Sequence, residues 1–469
     1  MKTRRTQRSS VIFFYFFGVC AVVFALTLVW TVVRTLNIKW TLNEGASLDS
    51  ILSDKVASSL LLIAPNPRDE NSRREVLLSR LNGSTSVLFQ RRPLVIWSMD
   101  YHIGPIQDVK SLLEPLGVHF IDKSLSNNCW RTKTCAKNLR SFQADFGIDP
   151  PPEMVKTFQL TYSEDPEMLS VDAFLCFHPA AMCELFMPFN RSMIVVATTR
   201  YELGRHSPEQ WRKWNDNLLK IHRNPRNVVA SNNEYDAKYI EYFTGLRPIV
   251  LPSICTYVSA WQYSPTHNNF LLAPIHQKNF SRTFLRDFED LCQCNHVLRP
   301  LREVYAEYSF SDLVKHKGIV HVPYQVSTMS VFEQYAMAIP IIVPSIELLA
   351  DWHLNHQVIR ERTWAGVNEQ VPNNSTLAAH ESQRHVPDPN CDTDLNAIKY
   401  WLRFSDFYTL PHVVQFDSIE DLIRKLSNVD FGEISRKMKE YSVEAKTLVG
   451  RQWRTLLTKV ALSSQNKPI

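Results

Sequence analysis

The chain lacks the spacings that announce a metal site. It has nine cysteines and fifteen histidines but no Cys-x-x-Cys and no His-x-x-x-His pair, so a structural or catalytic zinc pattern is not expected. It also lacks short-period internal repeats and any collagen-like or other low-complexity block, which leaves a globular head as the expected bulk of the chain. The first ten residues contain no acid, only Lys2, Arg4, Arg5 and Arg8, and Val11 to Val33 carry no charge at all. At about 1.5 Å rise per residue such a run spans a hydrocarbon core of roughly 30 Å. The basic cluster precedes it, so the positive-inside rule puts the N-terminus in the cytosol and the rest of the chain in a lumen. An uncleaved signal anchor fits better than a cleaved signal peptide, whose apolar core is shorter. The net charge of +5 then resides mostly in the cytosolic tail. Neither it nor the sequence pI of 8.6 argues for a nucleic-acid partner.

What is present agrees with an oxidising compartment. Cys20 falls in the apolar run and leaves Cys129, Cys135, Cys176, Cys183, Cys255, Cys292, Cys294 and Cys391, an even set from which disulfides are expected. Cys129 and Cys135 suit a local pair; Cys292 and Cys294 are too close to pair easily with each other. Glycosylation sequons begin at Asn82, Asn190, Asn279, Asn373 and Asn374 and mark expected surface loops.

After the tail (1–10) and the anchor (11–33), residues 34–92 are rich in Ser, Asn, Arg and Leu without long periodic runs and read as a stem. From Pro93 short β-rich apolar runs alternate with helical stretches. Strands are expected at Leu94–Asp100, Asp172–Phe177, Met193–Ala197, Asn227–Ser231 and Pro248–Pro252, and a helix over Asn233–Thr244 with Gly245 at its C′ position. A second series begins at Phe270–Pro274, continues through helices at Arg282–Cys292 and Leu301–Lys315, and reaches a strand at Gly318–Tyr324. A loop-rich insert over 353–393, a helix at Leu395–Arg403, a strand at Val413–Phe416 and a long helical tail follow. This alternation predicts an α/β fold of two Rossmann-like domains, 93–262 and 263–428, facing a cleft, with 429–469 as a helical tail.

The segment Gly318-Ile-Val-His-Val-Pro-Tyr-Gln-Val-Ser-Thr-Met-Ser-Val-Phe-Glu-Gln-Tyr-Ala-Met-Ala-Ile-Pro-Ile-Ile-Val-Pro-Ser345 reads as strand, polar loop, helix from about Ser330, Pro break and strand. Open α/β sheets bind ligands outside the carboxyl ends of their strands, and a helix N-terminus there offers N–H groups to a diphosphate. Glu333 can hold a hydroxyl pair, with Gln325, Ser327, Thr328 and Ser330 beside it. Equally, Ser330-Val-Phe-Glu333 has the form of a capping box that only satisfies backbone donors. This segment resembles the donor-binding segment of GT-B-fold glycosyltransferases. Glu333 matches the second Glu of the pattern in retaining members; the first falls at Gln325, and the usual Gly before Pro is Ile339. The resemblance implies a nucleotide-sugar donor, a hydroxyl acceptor on a glycan, protein or lipid, no resident cofactor, and a Golgi or ER setting. It leaves open whether the anomeric centre is inverted or retained.

The same resemblance points to the end of the first strand, where His102 can act as general base with Asp100 orienting it. The alternative is that both merely cap the next helix. His178, Arg200, Glu202 and Arg205 end later strands and can contact phosphate or acceptor, or form structural ion pairs. Lys278 is the candidate diphosphate cation. The stretches Trp352-His353 and Trp401–His412 either flank the donor or pack between domains. Asp392-Thr-Asp394 has the form of the metal motif of GT-A transferases, but the preceding Pro-Asp-Pro-Asn-Cys and the following helix favour an N-cap. A non-catalytic, lectin-like or scaffolding lumenal protein is the alternative from another class.

Overall fold

A computed structural model describes residues 92–143, 148–198, 200–293, 297–367 and 377–465. The expected anchor, most of the stem, and the sequons at Asn82, Asn373 and Asn374 lie outside these. Among the described residues no helix is long and apolar enough to cross a membrane.

The strands are apolar on both faces, as a doubly covered parallel sheet requires. Leu94–Ser98 (β1) is buried at all five positions, and Ala173–Cys176 (β3) and Ser192–Ala197 (β4) are buried throughout. With Val118–Asp122 (β2), Val228–Ser231 (β5) and Ile249–Val250 (β6) they form a six-stranded sheet of order β2-β1-β3-β4-β5-β6. Phe270–Leu272 (β7), Leu298–Pro300 (β8), Ile319–Val320 (β9), Ile341–Pro344 (β10) and Val414–Phe416 (β11) form a second sheet of order β11-β10-β9-β7-β8. Every pairing in both sheets is parallel. The chain is therefore α/β with two parallel sheets, consistent with two Rossmann-like domains.

Helices of eight residues or more are Ile103–Leu113 (α1), Pro152–Tyr162 (α2), Pro208–Arg223 (α3), Glu234–Thr244 (α4), Lys278–Cys292 (α5), Met329–Ala336 (α6), Ile346–His356 (α7), Leu395–Leu402 (α8), Ile419–Asn428 (α9) and Phe431–Gln465 (α10). Local signals set several ends. Ser207 and Gln210 complete a capping box before α3. Asn233 caps α4, and Gly245 at φ 72° ends it. The helix expected over Leu301–Lys315 is instead two single turns, Leu301–Val304 and Phe310–Leu313, and α7 runs to His356, into the expected insert.

Alternate residues of β1 feed different cores. Val95 and Trp97 pack with Trp211, Trp214 and Tyr239, whereas Leu94 and Ile96 pack with Ile106, Val109, Trp453 and Leu457. Trp453 and Leu457 belong to α10, whose earlier Met438 packs with Val331, Tyr335 and Ile341 of the second domain. One helix thus covers parts of both domains. The segment before and within α8 also crosses over: Trp364 stacks on Trp211 at 5.8 Å, and Trp401 contacts Tyr235 and Tyr242 at 5.5 and 5.9 Å. The Trp401 region is interdomain packing, and Trp352 packs on Phe280 and Phe416.

Candidate functional site

In each sheet the strand order reverses once, between β1 and β3 and between β7 and β9. Such reversal points leave a crevice at the carboxyl ends of the strands, where ligands of open α/β sheets bind. The two crevices adjoin. A Cβ added at Gly104, in the first turn of α1, would come within 3.0 Å of the Met329 side chain in the first turn of α6. Glycine at this position lets the loop after β1 meet the helix after β9.

Asp100 and His102 leave β1, and His178 leaves β3, so the reversal point brings all three together. Their backbones join through Tyr101 N–H donating to the His178 carbonyl at 3.0 Å. The His102 and His178 rings meet edge-on, with centroids 5.5 Å apart. His102 is the N-cap of α1, and its Nδ1 accepts from Gly104 N at 3.1 Å. A neutral ring in that arrangement carries its proton on Nε2, so it donates rather than accepts there. Asp100 does not reach the ring; its Oδ1 accepts from Ser124 Oγ at 3.2 Å. Burial pushes the Asp100 carboxyl up to about 7 despite that bond. Burial, aided by His102, pushes His178 down to about 3, so it is neutral. The capping reading of His102 is the observed one. What is unspent here is Asp100 Oδ2 and His178 Nδ1, both buried without a hydrogen-bond partner.

Across from them, Thr328 is the N-cap of α6 and makes no side-chain cap bond; its hydroxyl lies 3.0 Å from Ser330 Oγ. The capping-box reading of Ser330 and Glu333 is thereby corrected, because the helix starts at Met329, placing Ser330 inside it and Glu333 a turn further on. Glu333 accepts instead from Tyr257 O–H at 2.5 Å. Burial pushes the Glu333 carboxyl up to about 7, the Tyr257 bond opposing it and nearby Asp108 reinforcing it. Asp108, on α1, accepts from the backbone N–H of Ile254 and Cys255 at 3.1 and 2.6 Å, tying the first domain to the connection before β7. Below the loop, Ser327 Oγ and Asp406 Oδ2 are buried without satisfactory hydrogen-bond geometry. Burial raises Asp406 well above the usual carboxyl range; the Ser327 hydroxyl lowers it in part and Asp236 raises it. Gln325 is half-buried in the same loop. At the other strand of this reversal, the His276 ring stacks on Tyr324 with centroids 3.8 Å apart. Lys278 is exposed at the first position of α5, after the Gln277 cap.

Other candidates are already committed to the fold. Arg200 is fully buried, bonded to Glu202 at 2.9 Å, to the Arg362 carbonyl, and stacked 3.9 Å from the Tyr239 ring centroid. Arg205 pairs with Asp149 at 2.9 Å and Glu184 at 2.6 Å. Neither arginine is available as a phosphate contact, because removing its partner would leave a buried unpaired charge. Glu202 keeps one unpartnered oxygen, Oε2. Asp392 binds His353 at 2.9 Å and Arg362 at 3.0 Å, which hold its carboxyl down to about 2. Asp394 caps α8 by accepting from Asn396 N at 2.8 Å. The GT-A metal reading of this pair is corrected on those grounds, and no His/Cys/Asp/Glu group suited to a metal occurs among the described residues.

Disulfides join Cys129 to Cys135, as expected, and Cys176 to Cys183. Cys292 is disulfide-bonded, while Cys255 and Cys391 are free thiols. Asn190 and Asn279 are exposed, as their sequons require, although Asn279 lies in the first turn of α5 and not in the expected loop. Sequence reasoning missed Tyr257, Asp108 and Asp406. No local pattern marks them, since each acts on a residue far away in the chain.

No family model matches this sequence, and no curated protein matches it significantly.

Proposed function

We propose that the chain is a GT-B-like glycosyltransferase, anchored by residues 11–33 as a type II protein of the Golgi or ER membrane with a lumenal head. It moves a sugar from a nucleotide-sugar donor to a hydroxyl of a glycan, protein or lipid. The observation that carries this reading is the meeting of two strand-order reversals across Gly104 and Met329, with an N-terminus on α6 that no side chain caps.

In the reaction the bond from the sugar's anomeric carbon to the diphosphate oxygen breaks, and that oxygen keeps the electron pair. The acceptor oxygen forms the new bond and loses its proton. The first-turn N–H groups of α6 meet the charge developing on the leaving diphosphate, with exposed Lys278 as a further cation. Glu333 holds donor hydroxyls, alongside Thr328, Ser330 and Gln325, while Ser327 is buried beneath them against Asp406. For the acceptor proton, Asp100 has a pKa near 7 but is fully buried, whereas His102 is exposed and can take it only by giving up its bond to Gly104.

The test is a thermal-shift panel of UDP-, GDP- and CMP-sugars on the detergent-solubilised full chain, comparing wild type with Glu333→Gln. A bound donor at one hundred times its dissociation constant stabilises by about 2.7 kcal/mol. Glu333→Gln should lose most of that shift. If no nucleotide stabilises either protein, the reading fails; stabilisation without transfer or hydrolysis favours the lectin-like alternative.

A further inference from the structure

We infer that the second domain carries a carbohydrate pocket, remote in sequence from the α6 loop, which is filled by the N-glycan of Asn279. The inference rests on the lumenal placement in the proposed function, not on transferase activity. A cavity of about 470 Å³ lies between α5, α7 and the start of α9. That volume is within the usual range of small-molecule sites, roughly 300–1,000 Å³.

The lining has the two parts that a pyranose needs. Phe280, Trp352 and His356 form an aromatic wall, with Phe280 5.0 Å from Trp352 and 5.3 Å from His356 between ring centroids. Such ring faces suit the C–H face of a sugar. Thr283, Asp287 and Asn355 supply a hydroxyl, a carboxylate oxygen and a carboxamide oxygen for its hydroxyls, Asp287 Oδ1 being held by Arg286 and Asn355 Nδ2 by Asp351. No lysine or arginine lines the cavity, so a phosphate or other anion would find no fixed countercharge there.

Asn279 sits on the rim and is itself a sequon asparagine, in Asn279-Phe280-Ser281. It is exposed, and its Oδ1 accepts from Arg282 at 2.6 Å. That bond fixes the carboxamide by its oxygen and leaves Nδ2, the atom that takes the glycan, outside the contact. The first sugars attached there start at the mouth of the cavity. Tethering of this kind gives an effective concentration in the millimolar range, so even weak sugar contacts are filled. An untethered glycan at micromolar concentration would leave the same contacts empty.

The experiment uses the full chain made in a eukaryotic secretory cell and purified in detergent. Release of the glycans at Asn279 and Asn190 by an amidase is followed without denaturation, by glycopeptide mass. Asn190 is the exposed control. Release at Asn279 should be about ten-fold slower, the ratio that about 1.4 kcal/mol of docking gives. Thr283→Trp places a ring in the cavity from an exposed position. It should abolish that protection without changing occupancy. Ser281→Ala, which removes the glycan, should expose the cavity to added N,N′-diacetylchitobiose, read as a saturable change in tryptophan fluorescence at millimolar sugar. Equal release rates, protection that survives Thr283→Trp, or no response to chitobiose overturns the inference. So does an unoccupied Asn279 beside an occupied Asn190, which leaves the lumenal reading standing. If both are unoccupied, both readings fall.

Discussion

Replacing Asp100 with asparagine should change how stability depends on pH more than it changes stability itself. The Asp100 side chain is fully buried, and burial raises its pKa from 3.8 to about 7. Between those values the folded protein holds a proton that the unfolded chain has released. Stability contributed by the neutral carboxyl is therefore complete below about pH 4 and is lost as pH rises toward 7. At about 1.36 kcal/mol per pKa unit the whole span is worth about 4 kcal/mol, of which about 3 kcal/mol falls between pH 5 and 8. Asparagine keeps the Oδ1 acceptor for Ser124 and never ionises. Its Nδ2 takes the place of an oxygen that already lacks a partner, so a pH-independent cost of about 1–3 kcal/mol is expected. Urea melts of both proteins at pH 5, 6.5 and 8 measure the difference. Asp108, Asp236 and Glu333, which burial raises, add to the loss over this range, and His178, His316 and His321, which burial lowers, oppose it; all six titrate alike in both proteins and cancel in the comparison. Asp100→Asn should lose about 3 kcal/mol less. Parallel pH profiles within about 0.5 kcal/mol would refute the burial argument for Asp100.

Three further outcomes follow from the packing. Asp392→Ala leaves Arg362 buried without its carboxylate and should cost about 3–5 kcal/mol at pH 7 by urea melt; because the Asp392 pKa is held at about 2, the cost should shrink as pH falls below 4. Tyr257→Phe removes the hydrogen bond that opposes the raised pKa of Glu333, so carbon-detected NMR of that carboxyl should show its midpoint moving further up; an unchanged midpoint would mean the bond is absent in solution. Trp401→Ala should cost about 3–5 kcal/mol and loosen the contact with Tyr235 and Tyr242, read as faster amide exchange in α4 as well as α8; a change confined to α8 would count against interdomain packing.

The alternation of apolar runs and helical stretches was enough to read two parallel α/β series, because strands buried on both faces have an unmistakable composition. β1, β3, β4 and β5 fall where their apolar runs do. β2 was not foreseen, since its His119 faces solvent and Asp122 ends it, and β8 is a three-residue strand that includes Arg299 and Pro300. The strand–loop–helix from Gly318 was legible as geometry, yet its chemistry was not. Ser330 and Glu333 fit a capping box by spacing, and only the approach of Tyr257 shows where the carboxylate goes. Arg200 and Glu202 were legible as either a site or an ion pair. Burial decides for the pair, and burial is a property of the folded neighbours rather than of the two residues.

The helix α10 leaves Met438 on the second domain and Trp453 on the first. The part of the first sheet's face that α10 covers beside α1 therefore stays bare until the whole second domain has been synthesised. During biosynthesis the first domain must wait with that patch exposed, which makes it a part of the chain in need of a chaperone. A ribosome stalled within the second domain would display an apolar patch that the finished protein never shows.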